Sequence, residues 1–179
     1  SLLFDSVTGR RRVVHALIFT ACYSRHMFVW LTFSQTLAAV IDGCEAAWEF
    51  FGGVFRVLIS GNMSAIVAHA DSVNPRFTVG WLEYAQSRGF ATDPRGSLIR
   101  RQTEVEQMVK YVRNNFAAGE DLTDLADAQH RARLWCAQKA SLRMYGTTCA
   151  QPAVVLAERE VEHLLAAPTA RYAVPVYAQ

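Results

Sequence analysis

Between residues 13 and 116, short runs of β-branched and aromatic residues alternate with amphipathic helical patterns. This alternation constrains the fold more than any other feature, because strands interleaved with helices bury their apolar faces by layering the helices on a sheet. Residues 13–20 and 26–33 read as an antiparallel hairpin around Tyr23-Ser24-Arg25, preceded by a turn at Val7-Thr8-Gly9-Arg10 and a strand end at Leu2-Leu3-Phe4. Residues 36–51 read as a helix: Leu37, Val40, Ile41, Cys44, Trp48 and Phe51 face inward, Asp42, Glu45 and Glu49 face water, and Gly52-Gly53 stops it. A short buried strand follows over 55–60 and runs straight into Gly61. Asn74-Pro75 reads as a helix start, with Asn as cap and Pro in the first turn. That helix reaches Arg88, Gly89 ends it, and 90–92 can form a short strand.

The next helix, 102–116, carries two faces. Val105, Met108, Val109, Val112 and Phe116 make an apolar stripe, while Glu106, Lys110 and Arg113 share another face at spacings of four and three. Glu106 reads either as a solvated helix carboxylate paired with Lys110 or as a hard oxygen ligand for a divalent cation. Arg100, Arg101, Lys110 and Arg113 read either as a solvated face or as contacts to DNA phosphates. The strand end that could supply a second carboxylate carries Gly61, which offers no ligand.

Beyond residue 116 the pattern changes. Residues 122–140 read as a helix with Leu125, Ala128, Ala132, Trp135 and Cys136 inward. A Tyr145-Gly146-Thr147-Thr148 loop precedes a short helix opened by Pro152, and the tail from Pro168 reads as extended. Glu158, Glu160 and Glu162 read as a solvated acidic patch. Trp48, Phe50, Phe51, Trp81 and Trp135 are core candidates.

The length of 179 residues fits one domain, or one domain with an appendage. With 51% hydrophobic and 19% charged residues the chain is globular rather than disordered. A net charge of +2 excludes a strongly basic protein, but 16 of its 18 basic residues are arginine, the side chain suited to bidentate phosphate contacts. The four cysteines have no metal-ligand spacing and read as reduced thiols, and the five histidines are too scattered for a zinc site. The longest uncharged stretch, 26–41, is too short and too polar to span a bilayer, and there is no signal peptide, so the reading is cytoplasmic with no membrane partner. Ser1 opens inside an apolar segment without an initiator Met, which reads as a start within a longer protein.

Several stretches carry a family resemblance: Thr8-Gly9-Arg10-Arg11-Arg12, Tyr23-Ser24-Arg25, Trp48-Glu49-Phe50-Phe51-Gly52-Gly53, Asn74-Pro75-Arg76-Phe77, Glu83-Tyr84-Ala85, Val105-Glu106, Tyr111-Val112-Arg113-Asn114-Asn115-Phe116 and Gly146-Thr147-Thr148. In this order they resemble the catalytic core of IstA-type insertion-sequence transposases, DDE-type enzymes related to retroviral integrases. The resemblance implies a ribonuclease H-like mixed sheet flanked by helices. It divides the chain into an integrase-like core over 1–119, with its first strand truncated, and a C-terminal helical and extended appendage over 120–179. It also implies an Asp, Asp, Glu triad that holds two Mg²⁺ or Mn²⁺ ions for phosphoryl transfer in DNA integration and transposition.

Glu106 matches the triad's Glu. Gly61, before Asn62, stands where the second Asp is expected. The first Asp falls upstream of Ser1, as does the family's helix-turn-helix region, and Asp5 matches a turn position rather than the first ligand. The implied partners are DNA, as transposon ends and target, and a helper AAA-plus ATPase, and a homo-oligomer is compatible with the family. On this resemblance the chain as given is expected to be catalytically dead and to hold no metal stably. The alternative is a non-catalytic remnant kept for DNA binding or oligomerisation.

Overall fold

The structure, a computed structural model, describes residues 2–61, 63–69, 76–93, 99–116 and 122–175, with side chains from Glu106 onward in the helix that begins at Ile99. It is mixed α/β. The chain divides into two compact units, Ser1–Ser34 with Glu106–Glu162, and Gln35–Val105 with His163–Gln179.

The first unit is built on two hairpins. Strands β1 (Leu2–Asp5) and β2 (Arg10–Val13) pair antiparallel, and so do β3 (His15–Thr20) and β4 (Met27–Thr32), with Thr20 opposite Met27. The turn of the first hairpin is tied by Asp5, whose carboxylate accepts from Val7 N at 3.0 Å, Thr8 Oγ1 at 2.8 Å and Arg12 Nη1 at 2.9 Å. The Arg12 and Thr8 hydrogen bonds hold the Asp5 pKa down at about 2. The second turn uses a left-handed Arg25 and closes with Ala21 N donating to His26 O. Glu160 secures it from outside, accepting from Tyr23 N at 3.3 Å and Ser24 N at 3.2 Å. Glu160 is therefore a clamp on a turn, not part of a solvated acidic patch. Two backbone N–H groups that no strand can satisfy draw it in.

Strand β4 is apolar on both faces, with Met27, Phe28, Val29 and Leu31 buried. Helix α4 (residues 125–135) crosses it, with Ala128 and Ala132 fully buried at the contact. Small side chains there let the helix backbone come close to the strand. Asp124 caps α4 by accepting from Asp127 N at 2.9 Å. The helix continues through a wide turn over Cys136–Ala140, closed by Ser141 N donating to Cys136 O. A further helical stretch starts at Pro152, as expected of proline in a first turn.

The second unit centres on α1 (Leu37–Phe51), capped by Thr36 and ended by a left-handed Gly52 at φ 78°. Strands β5 (Gly53–Val54) and β6 (Val57–Ile59) follow. The strand expected over 55–60 is thus shorter, and just ahead of it Arg56 O accepts from Ala91 N at 2.9 Å while Arg56 Nε donates to His163 O at 2.8 Å. Strands β7 (Val67–His69) and β8 (Arg76–Phe77) pair antiparallel. Helix α2 (Val79–Arg88) begins later than the sequence suggests. Asn74 and Pro75 lie outside the described residues, and the backbone at 76–78 is committed to strand pairing: Phe77 lies opposite Val67, and Thr78 N donates to Ile66 O at 2.8 Å. Strand β9 (Ala91–Asp93) pairs parallel with β6.

The core of this unit is aromatic. Trp48, Trp81, Tyr84 and Phe90 are buried, with ring centroids between 5.6 and 5.8 Å along the contacts of Phe90 with the other three. Trp48 Nε1 donates to the Tyr84 hydroxyl at 3.0 Å, and Trp81 Nε1 to Thr92 Oγ1 at 3.0 Å. The returning C-terminal segment adds β10 (Leu165–Ala166) beside β5. It passes so close that a Cβ on Gly53 would stand 2.6 Å from Leu165 O, which explains the second glycine after α1. Glu45, expected to face water, pairs with Arg88 at 2.8 Å. The cysteines split evenly: Cys44 and Cys136 are buried, Cys22 and Cys149 exposed, and all four are free. Burial pushes the Cys136 thiol up to about 12, so it is inert. Among the described residues no helix is long and apolar enough to cross a membrane.

Two predictions follow from this packing. Tyr84→Phe strands the buried Trp48 N–H and should cost about 1–3 kcal/mol in urea unfolding, with the fold retained. Burial lowers His26 from its ordinary value near 6.5 to about 4. Between those values the unfolded chain binds a proton that the folded chain does not, so stability should fall as pH drops from about 6.5 to about 4, by up to ~3 kcal/mol. His26→Gln should flatten the urea-midpoint curve across that window.

Candidate functional site

Strand β6 delivers the chain to Ser60 and Gly61. Gly61 is exposed, its φ is not in the left-handed region, and a Cβ built there meets nothing within 4 Å. Among the described residues nothing steric demands a glycine at this strand end. Gly61 O accepts from Met63 N at 2.8 Å, and Asn62 lies outside the described residues.

Helix α3 spans Ile99–Asn115. Arg100 and Arg101 are helical in backbone, and their side chains lie outside the description. From Glu106 onward the two faces are plain. Val112 and Phe116 are buried, and both Tyr111 and Phe116 stack on Trp135, with centroids at 5.5 and 5.7 Å. Val109, expected in the apolar stripe, is 45% exposed. Glu106, Lys110 and Arg113 are all exposed. Among the described residues none of the three forms an ion pair, so the pairing of Glu106 with Lys110 is not seen. Gly61 belongs to the second unit and Glu106 to the first.

Asp5 is the other carboxylate near the start of the chain. Its three hydrogen bonds use both oxygens on the turn of the first hairpin, which agrees with its reading as a turn residue. Among the described residues no group of three or more His, Cys, Asp or Glu side chains is placed to hold a metal ion.

The sequence reading missed the most ordered cation near α3. Arg143 lies over the Tyr111 ring at 3.8 Å and within 5.8 Å of the Tyr145 ring. The signal for it was weak: an aromatic-glycine-threonine loop after a helix, with an arginine two residues before the aromatic.

No protein-family profile matches the chain. A Mycobacterium tuberculosis protein named as a transposase, Rv3428c, is 31% identical over 167 residues, which is 92% of this chain and 41% of that protein. The transposase of insertion sequence IS21 from Pseudomonas aeruginosa is 29% identical over 113 residues, 62% of this chain and 28% of its own length. This chain is related to insertion-sequence transposases. The resemblance carried by the motifs therefore holds at that level. The chain spans less than half the length of these relatives. Among solved structures, a chain of the simian T-cell lymphotropic virus intasome in complex with PP2A regulatory subunit B56 gamma aligns over 100% of this chain and 57% of that one, at 12% identity and a TM-score of 0.49.

Because the space around Gly61 is open, Gly61→Asp in this transposase relative should be structurally silent. Its urea midpoint should stay within about 0.5 kcal/mol of the parent, the range of surface substitutions away from special features. A larger loss would mean that the strand end tolerates only glycine.

Proposed function

We propose that the chain is a segment of an IstA-like, DDE-type transposase core, ribonuclease H-like in architecture, that no longer cuts or joins DNA. The observation that carries this reading is Gly61 at the end of β6, in the position that the family motif gives to a carboxylate, with open space where that carboxylate would stand. The 31% identity over 167 residues to a protein named as a transposase supports the ancestry. Glu106 is the remnant of the catalytic set. By the resemblance residues 1–119 correspond to the integrase-like core and 120–179 to its appendage; α4 packs back on β4, which favours an appendage without a core of its own.

The donors present do not fit a two-metal centre. Glu106 brings one carboxylate and Gly61 brings none, while two-ion chemistry requires carboxylates from opposing elements. No step through Mg²⁺ or Mn²⁺ is therefore derived for this chain. What it retains is a cationic helix face. Lys110 and Arg113 are exposed and without ion pairs among the described residues, which favours a second reading: a non-catalytic remnant that still binds DNA. Arg100 and Arg101 extend that face in sequence. The partners in this reading are DNA and, by family, a helper AAA-plus ATPase and further copies of the chain, in the bacterial cytoplasm.

The test is nicking of supercoiled DNA in Mg²⁺ or Mn²⁺. The 179-residue chain should leave the plasmid intact. Gly61→Asp should raise Mn²⁺ affinity, measured by calorimetry, and adding Glu106→Gln should cancel the gain. Metal-dependent nicking by the unaltered chain that disappears in Glu106→Gln would refute the inactive reading.

A further inference from the structure

We propose that Arg143 is a DNA-phosphate contact on the same surface as the exposed face of α3; the inference rests on the DNA-binding reading above. Its guanidinium lies against Tyr111 at 3.8 Å, with the Tyr145 ring at 5.8 Å. Tyr111 is itself stacked on Trp135, which also holds Phe116. The cation thus rests on a fixed aromatic platform, and its plane is set before any ligand arrives.

Among the described residues no anion answers this charge. Arg143 is half-buried, forms no ion pair among the described residues, and its Nε is buried without a hydrogen-bond partner. A partly desolvated cation left without a counter-charge is costly, and side chains in this state are usually paired or completed by a ligand. Stacking spends the face of the guanidinium, and with Nε buried it is the Nη groups that remain to grip phosphate oxygens two at a time. The neighbouring loop is open at Gly146, where a built Cβ meets no described residue within 4 Å. In the same loop Thr148 Oγ1 is buried and also lacks a partner among the described residues.

A polyanion fits better than a lone phosphate ion. Lys110 precedes Tyr111 in the helix and Arg113 follows by two, so the platform that carries Arg143 is bordered by exposed cations strung along α3. Charges spread along a helix match successive phosphates of a DNA backbone, and each contact releases a counterion.

The experiment measures binding of the full chain to a short duplex of arbitrary sequence, by fluorescence anisotropy over a salt series. Arg143→Met keeps an unbranched apolar stem over Tyr111 and removes the charge. The slope of log K against log salt should shrink in magnitude by ~0.9, the value for one B-DNA phosphate contact. Arg143→Lys should keep the parent's slope while binding more weakly, because it keeps the charge and loses the fork. If Arg143→Met melts too low to assay, Arg143→Gln gives the same reading. An unchanged slope in the neutral variant, with the parent chain binding DNA, overturns the role of Arg143 alone and leaves a packing residue. Absence of any salt-dependent binding by the parent chain overturns the DNA-binding reading beneath it as well.

Discussion

The side-chain amide of Gln129 is the interaction on which the first unit depends. Its Oε1 accepts from Leu31 N at 2.7 Å and its Nε2 donates to Val29 O at 3.0 Å, so one side chain imitates the peptide group of a neighbouring strand. The need is physical. A two-stranded hairpin is marginal in water, and β4 is buried on both faces, so unpaired edge groups there would be desolvated without compensation. Once Gln129 is fixed, α4 has one register against the strand. Asp124 then lies beside Phe4 and Trp135 lies under Tyr111 and Phe116. That contact sets which face of α3 is buried, and so which face presents Glu106, Lys110 and Arg113 to solvent.

The acidic residues sort by the work they do. Asp5 and Glu160 close turns, Asp124 caps a helix, and Glu45 neutralises Arg88 beside the aromatic core. Each answers a donor that the fold would otherwise leave unsatisfied. Glu106 answers none among the described residues, and stability gives no reason for it to be there. An exposed helix carboxylate near the middle of α3 contributes little through the helix dipole, which acts within the terminal turns. Lys110 also has no ion-pair partner among the described residues, whereas Arg113 stands in the last turn of α3, where the helix dipole favours a cation.

Much of this was legible in the sequence because local signals and tertiary packing agree. Leu37 to Phe51 keeps a 3.6-residue apolar period, has Thr36 as cap and Gly52 as stop, and forms the helix those signals describe. The hairpin of β3 and β4 and the short β9 were equally plain. The misses share a cause, which is competition from distant partners. Asn74-Pro75 is a good local helix start, yet the following residues pair with β7 instead. The strand expected from residue 55 begins only at Val57, and the Arg56 side chain just before it bonds His163 O, a partner more than a hundred positions away that no local pattern signals. Glu160 looks like one of three alternating surface acids, and only the fold brings it to the turn at Tyr23-Ser24. At the candidate site Glu106 and the Gly61 strand end could be found by pattern, whereas the Arg143 platform requires a helix and a loop that no periodicity connects.

The same separation explains how a site of this kind can lose a member while the fold persists. The residues that hold the chain together are Gln129, the Trp48–Tyr84 pair and the rings around Trp135, none of which touches Gly61. The strand end at Gly61 is exposed, and a Cβ built there meets no described residue within 4 Å. On the proposed reading, an ancestral aspartate at this position had to sit near other carboxylates so that cations could bridge them. Clustered like charges are a cost to the metal-free fold, paid only for chemistry. Replacing that aspartate with glycine removes the repulsion and a ligand together, and the protein that remains keeps its aromatic core and its cationic helix while giving up the one arrangement its fold never needed.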